Sequence, residues 1–128
     1  MCGFFGVIDF NNNITSDDFY NIKEGTSAIK YRGPDDEKIL SGKNYCFGFR
    51  RLSIIDISAD SQPYCSVDGS IVMMCNGEIY NYLDLKKDLI LRGYVFKTKT
   101  DVEVILHGYA EWGEKLWCKL NGIFSIVI

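Results

Sequence analysis

The chain has 128 residues, of which 47% are hydrophobic and 24% charged, with a formal net charge of -3; that is enough for one domain with a real core and too little for two ordinary ones. The longest basic clusters are pairs such as Arg50-Arg51 and Lys86-Lys87, which excludes the concentrated basic face that nucleic acid requires. No run approaches the ~20 apolar residues of a membrane span and no basic segment precedes the apolar start, so neither a membrane nor a secretory leader is expected and the expected compartment is the cytoplasm.

Cys2 to Phe10 is rich in Phe, Val and Ile and ends at Asn11-Asn12-Asn13, which reads as a buried strand entering a turn. Ser16 or Asp17 can cap the next segment, where Phe19, Ile22, Thr26 and Ile29 recur at helical spacing before Gly33-Pro34. Phe19 and Ile22 are expected in the core. Lys38–Leu40 and Tyr45–Phe49 flank Ser41-Gly42-Lys43-Asn44 and predict a hairpin, with Arg50 to Asp56 continuing its second strand. After a loop over 57–69, the run Ile71-Val72-Met73-Met74-Cys75 predicts a fully buried strand that stops at Asn76-Gly77-Glu78. A helix with Leu85 and Leu89 on one face follows to Gly93, then a strand over Tyr94–Lys97. Thr100 or Asp101 starts a helix carrying Val102, Ile105, Leu106 and Tyr109, and Gly122–Ile128 predicts a last strand. Hairpin strands with three helices between them suggest an α+β fold, sheet packed on sheet with helices outside.

The five cysteines (Cys2, Cys46, Cys65, Cys75 and Cys118) are odd in number, form no C-x-x-C pair and accompany one histidine, His107, so zinc spacing is absent and reduced thiols are expected. Cys46, Cys75 and Cys118 read as small buried hydrophobes, and His107 as a solvent-facing or capped helix residue. Cys2 differs by position. If the initiator methionine is removed, Cys2 carries a thiol and a free α-amine together, and near neutrality a useful fraction of such an amine is unprotonated and able to accept the thiol proton. Nucleophile and base then share one residue.

An acyl-transfer site also needs an oxyanion hole and something that recognises the substrate. The Asn76 side chain and the Gly77 N–H can supply the hole. Arg51 and Asp101 carry opposite charges suited to the carboxylate and ammonium of a free amino acid. Taken singly, each has a plainer reading: a turn for Asn76-Gly77, a helix cap for Asp101, a surface charge for Arg51.

Seven stretches change that balance. Met1-Cys2-Gly3-Phe4-Phe5-Gly6-Val7, Tyr31-Arg32-Gly33-Pro34-Asp35, Arg51-Leu52-Ser53-Ile54-Ile55-Asp56, Gln62-Pro63, Asn76-Gly77-Glu78-Ile79-Tyr80-Asn81, Thr100-Asp101-Val102-Glu103-Val104-Ile105 and Leu120-Asn121-Gly122-Ile123-Phe124 are similar, in order and spacing, to the class II glutamine amidotransferase domain. They resemble most the glutaminase half of glutamine-hydrolysing asparagine synthetases, and the resemblance covers essentially the whole chain.

The resemblance implies the four-layer αββα sandwich of N-terminal nucleophile hydrolases, incomplete at the C-terminus, with residues 1–128 as a partial type 2 glutaminase domain. It implies Cys2 as nucleophile, Asn76 and Gly77 as oxyanion hole, Arg51 on the glutamine α-carboxylate, Glu78 and Asp101 around the α-amine, and backbone groups near Ile54 and Ile55 on the substrate. The implied reaction releases ammonia from glutamine and hydrolyses a glutamyl thioester to glutamate, with no metal or cofactor. ATP and magnesium would belong to a synthetase domain, the ammonia acceptor in the same chain or another, which this sequence lacks. Glutamine and that domain are the expected partners, and self-association stays open. Alternatives are a remnant that binds glutamine or a partner without catalysis, through an edge strand at 123–128, and an amidotransferase serving a sugar or other acceptor.

Overall fold

The computed structural model describes residues 2–53 and 61–128. Ile54 and Ile55, expected near the substrate, and Met1 lie outside the described residues, as does the expected continuation of the second hairpin strand to Asp56. The described chain is α+β: six strands form two three-stranded antiparallel sheets, accompanied by three α-helices. It divides into two compact units, residues 2–53 with 61–63 and residues 64–128. No helix among the described residues is long and apolar enough to cross a membrane.

In the first unit, β1 (Gly3–Ile8), β2 (Asp36–Ser41) and β3 (Tyr45–Arg51) form a sheet in the order β1-β3-β2. The expected hairpin is β2 and β3, paired from Asp36↔Arg51 to Ser41↔Cys46. Helix α1 (Ser16–Ala28) starts at Thr15, where Thr15 and Asp18 form a reciprocal capping box. That cap lies one residue ahead of the expected Ser16, because a threonine three residues before Asp18 satisfies two orphan N–H groups at once. Side chains alternate across a strand, and α1 covers the face that carries Gly48: a Cβ at Gly48 would overlap the Thr26 hydroxyl, itself bonded to Ile22 O at 2.6 Å. Arg50, on the same face, donates to Thr26 O at 3.2 Å and pairs with Glu37. Phe47, Phe49 and Arg51 therefore point to the opposite face, and all three are buried.

Two expectations for this unit fail. β1 is an edge strand with Phe5 and Ile8 exposed, so it is not buried throughout. Phe19 is 43% exposed; the buried residues of the helix are Ile22 and Thr26, one turn apart on the face that meets Gly48.

In the second unit, β4 (Tyr64–Cys65), β5 (Val72–Ile79) and β6 (Gly122–Val127) form a sheet in the order β4-β5-β6. Met73, Cys75 and Ile79 face a core built with Leu85 and Leu89 of α2 (Tyr82–Leu91), Val104, Ile105 and Leu106 of α3 (Glu103–Trp112), and Leu116 from a 3-10 turn. Alternation then sends Met74, Asn76 and Glu78 to the face away from these helices. Tyr94–Lys97 forms no strand; Tyr94 and Phe96 instead pack on the core and on His107. Cys46 and Cys75 are buried as expected, but Cys118 is exposed at the end of a 3-10 turn whose buried residue is Leu116.

Candidate active site

Cys2 stands just ahead of β1, and its thiol meets backbone groups of Leu52. The Leu52 N–H donates to the Cys2 sulfur at 3.3 Å, and the thiol lies 3.6 Å from the Leu52 carbonyl. The β1–β3 register pairs Gly3 with Arg50, so its continuation sets Cys2 opposite Arg51. Arg51 is no surface charge: it is buried at the end of β3, opposite Asp36 in register and within electrostatic reach of it. The Asp36 carboxyl is held below its ordinary range, chiefly by the Ser61 hydroxyl, with Arg51 contributing. A half-buried thiol and a buried arginine, set opposite each other by the strand register, thus lie at one end of the first sheet.

The stretch Tyr31 to Asp35 supplies the frame around this pair, and sequence reasoning assigned no role to its members. Arg32 Nε donates to the Cys2 carbonyl at 3.2 Å. Asp35 accepts the Ser53 N–H at 2.7 Å while its own N–H donates to Arg51 O at 3.0 Å. Between them Gly33 lies on the Arg50–Arg51 peptide so closely that a Cβ there would overlap the Arg50 carbonyl. The ordered motif was the signal; the contact that requires its glycine only exists in three dimensions.

The second group of candidates lies in the second unit. Asn76 and Gly77 are half-buried and Glu78 exposed, all three inside β5, where they pair with Ser125, Phe124 and Ile123. The strand does not stop at Asn76 as the Asn-Gly pair suggested. β6 offers it a continuous partner, and a glycine permits the approach: Gly77 has φ 156, and a Cβ on it would overlap the Ile123 carbonyl and meet Phe124 Cα at 2.5 Å. Asp101 is buried, and its Oδ2 accepts the Ile79 N–H at 2.7 Å. It is therefore not the cap of α3 but a tie between the 97–102 segment and the end of β5, two residues past Gly77. Asn81, in the same motif, bonds Lys119 O and the Asn121 N–H and clasps the start of α2 to the approach of β6.

His107 is not solvent-facing, and its ring is capped by a hydrogen-bond partner. Its ring packs against Tyr94 and Phe96, with Nε2 3.3 Å from Glu103 Oε1. Among the described residues no group of three or more His, Cys, Asp or Glu side chains is placed to hold a metal ion.

In each unit the candidate side chains Arg51 and Asn76 project from the sheet face away from the helices. The first unit thus holds a thiol near the start of the chain and a buried arginine, and the second an amide and a carboxylate fixed to one strand end, residue types that amide hydrolysis employs. The family comparison agrees in class: residues 1–128 match the family described as Glutamine amidotransferase domain, and the chain belongs to that family. Among individual proteins it is 45% identical over 129 residues to the glutamine-hydrolyzing asparagine synthetase 2 of Bacillus subtilis, covering 100% of this chain and 17% of that protein. It is 41% identical to asparagine synthetase 1 of the same bacterium, covering 100% and 20%, and 36% identical to asparagine synthetase 1 of Arabidopsis thaliana, covering 100% and 21%. The chain spans about a fifth of the length of these curated relatives.

Proposed function

We propose that this chain is the glutaminase part of a glutamine-hydrolysing asparagine synthetase, and that Cys2 carries the chemistry. The observation that supports this reading best is the Leu52 N–H directed at the Cys2 sulfur, from the residue that follows buried Arg51, in a chain of the glutamine amidotransferase domain family. With Met1 removed, the Cys2 amine takes the thiol proton and the sulfur adds to the side-chain carbonyl of glutamine. Asn76 Nδ2 and the Gly77 N–H receive the oxyanion, the nitrogen leaves as ammonia with the proton returned from the amine, and water cleaves the glutamyl thioester to glutamate. Arg51 binds the α-carboxylate and Asp101, with Glu78, the α-ammonium; backbone groups near Ile54 and Ile55, which lie outside the described residues, are assigned to the substrate by the resemblance alone.

The reading requires no cofactor for this half-reaction. Aspartate activation with ATP and magnesium is assigned to a synthetase domain that accepts the ammonia, in the same chain or another. Residues 1–128 are assigned to the glutaminase domain, with the four-layer αββα sandwich as its architecture. Each sheet supports that layering, since it carries helices on one face and buried side chains, Phe47 and Phe49 or Met74, on the other.

The test is glutamate release from glutamine by the Met1-free chain, alone and with a synthetase partner. Release that disappears in Cys2→Ala is the expected result; release at an undiminished rate in that variant would remove the proposed nucleophile.

A further inference from the structure

Glu103 is 4% exposed at the first position of α3, and a buried carboxylate is tolerated only where its charge is fully hydrogen-bonded. Its partners all lie just upstream of Asp101 or one helical turn on. Oε1 accepts the Lys97 N–H at 2.8 Å and faces His107 Nε2 at 3.3 Å; Oε2 accepts the Thr98 N–H and hydroxyl, both at 2.7 Å. Because the Thr98 hydroxyl spends its one proton on Glu103, it must accept from Thr100, whose hydroxyl is 2.7 Å away and whose N–H is 3.2 Å away. Thr100 in turn lies 3.4 Å from the Tyr64 hydroxyl, and Lys86 Nζ holds Thr98 O at 3.1 Å.

The segment 97–100, which pairs with no strand among the described residues, is thereby folded back onto the start of α3. Asp101 sits inside this closed loop, with Oδ2 on the Ile79 N–H as its second anchor. From this geometry we infer that Glu103 is a positioning residue that fixes the Asp101 carboxylate for the α-ammonium group of an amino-acid substrate. The inference rests on the glutaminase reading, in which Asp101 meets that ammonium. Glu103 acts through the backbone of Lys97 and Thr98, and touches no substrate. The held-down ionisation of Glu103, to about 2, keeps the acceptor charged throughout the range in which an amino acid would bind. Glutamine at 103 would present an amide N–H2 to donors and break the loop at two points.

A purely structural role would weaken all ligands alike, whereas a positioning role removes discrimination for the ammonium group. The experiment is calorimetry with L-glutamine and with glutaramic acid, its analogue without the α-amine, on the full chain carrying Cys2→Ala to stop turnover. In that background glutamine is expected to bind at least about tenfold more tightly than glutaramic acid. Asp101→Asn, Glu103→Gln and the milder Thr98→Val should each erode that ratio, and Asp101→Asn with Glu103→Gln should erode it no further than Asp101→Asn alone. A ratio that falls in Asp101→Asn but is kept in Glu103→Gln overturns the inference, and a ratio kept in Thr98→Val does so if Glu103→Gln fails to fold. No glutamine binding in the Cys2→Ala background, or no preference over glutaramic acid, overturns instead the reading on which it rests.

Discussion

The Leu52 N–H points at the sulfur of Cys2 from 3.3 Å, and the Leu52 carbonyl lies 3.6 Å from the same atom. A residue directly after Arg51 thus fixes where the thiol sits relative to the strand that bears the buried guanidinium. The pairing is made by main chain on the Leu52 side, so it survives any Leu52 substitution that keeps the backbone N–H, and it depends on the path of β3. Whatever bends that path displaces the thiol.

Gly33→Ala should bend it. The new methyl would overlap the Arg50 carbonyl, and forcing the two segments apart costs on the order of 1–3 kcal/mol. Both Cys2 and Arg51 lose their positions, so the rate of glutamate release should fall at least about tenfold while the melting temperature also drops. Unchanged turnover in a destabilised variant would show that the motif braces the fold alone.

Gly77→Ala separates strand sterics from turn chemistry. Were Asn76-Gly77 a solvent-facing turn, alanine would be a mild change. In β5 its Cβ meets the Ile123 carbonyl and Phe124, so thermal unfolding should show a loss of about 1–3 kcal/mol, centred on the β5–β6 pairing, with amide exchange accelerated in 122–127. Exchange unchanged across those residues would contradict the register.

Asp101→Asn and Asp101→Ala should part company. Asparagine retains a carbonyl oxygen for the Ile79 N–H, so its unfolding midpoint should move little. Alanine leaves that buried donor without its partner and should cost about 1–3 kcal/mol. Both should raise KM for glutamine more than they lower kcat, because the negative charge is what the α-ammonium group meets. Equal stability of the two variants would mean that the Ile79 contact contributes nothing.

Acid should reach Glu103 late. Burial pushes its carboxyl up, but the bonds from His107, the Lys97 N–H and the Thr98 hydroxyl and N–H together outweigh burial and hold it at about 2, against an ordinary 4.5. A lowered folded-state value contributes stability above about 4.5 that disappears as pH falls towards 2, here on the order of 3 kcal/mol. Urea unfolding from pH 6 to 2 should therefore show wild type losing more stability than Glu103→Gln, with the two converging near pH 2. Asp9, Asp18, Asp36 and Asp68 are lowered too, but both chains carry them, so they cancel in the difference. Parallel curves would contradict the assigned hydrogen bonds.

Most elements were legible in the sequence because their apolar spacing was long and regular. The helix with Leu85 and Leu89, the helix with Ile105 and Leu106, and the hairpin over 36–51 all formed where periodicity put them. The errors fell where a distant partner overrode a local signal. Asn76-Gly77 reads as a turn until β6 pairs with it. Tyr94–Lys97 has strand-forming residues, but the Lys97 and Thr98 N–H groups go to a glutamate six and five residues on, and no neighbouring strand receives them. At the candidate site, residue types and order singled out Cys2, Arg51 and Asp101 as candidates, whereas the burial of Arg51 and the frame from Arg32, Gly33 and Asp35 arise only once β1 and β3 are paired.

The central claim is that one thiol among five attacks the side-chain carbon of glutamine. Incubating the Met1-free chain with 6-diazo-5-oxo-L-norleucine, a glutamine mimic that alkylates the attacking group, and locating the adduct by peptide mass spectrometry tests it most directly. A single adduct on Cys2, suppressed by excess glutamine, is predicted, although Cys65 and Cys118 are the more exposed thiols. Labelling on Cys65 or Cys118, or labelling of Cys2 that glutamine does not slow, would contradict the account.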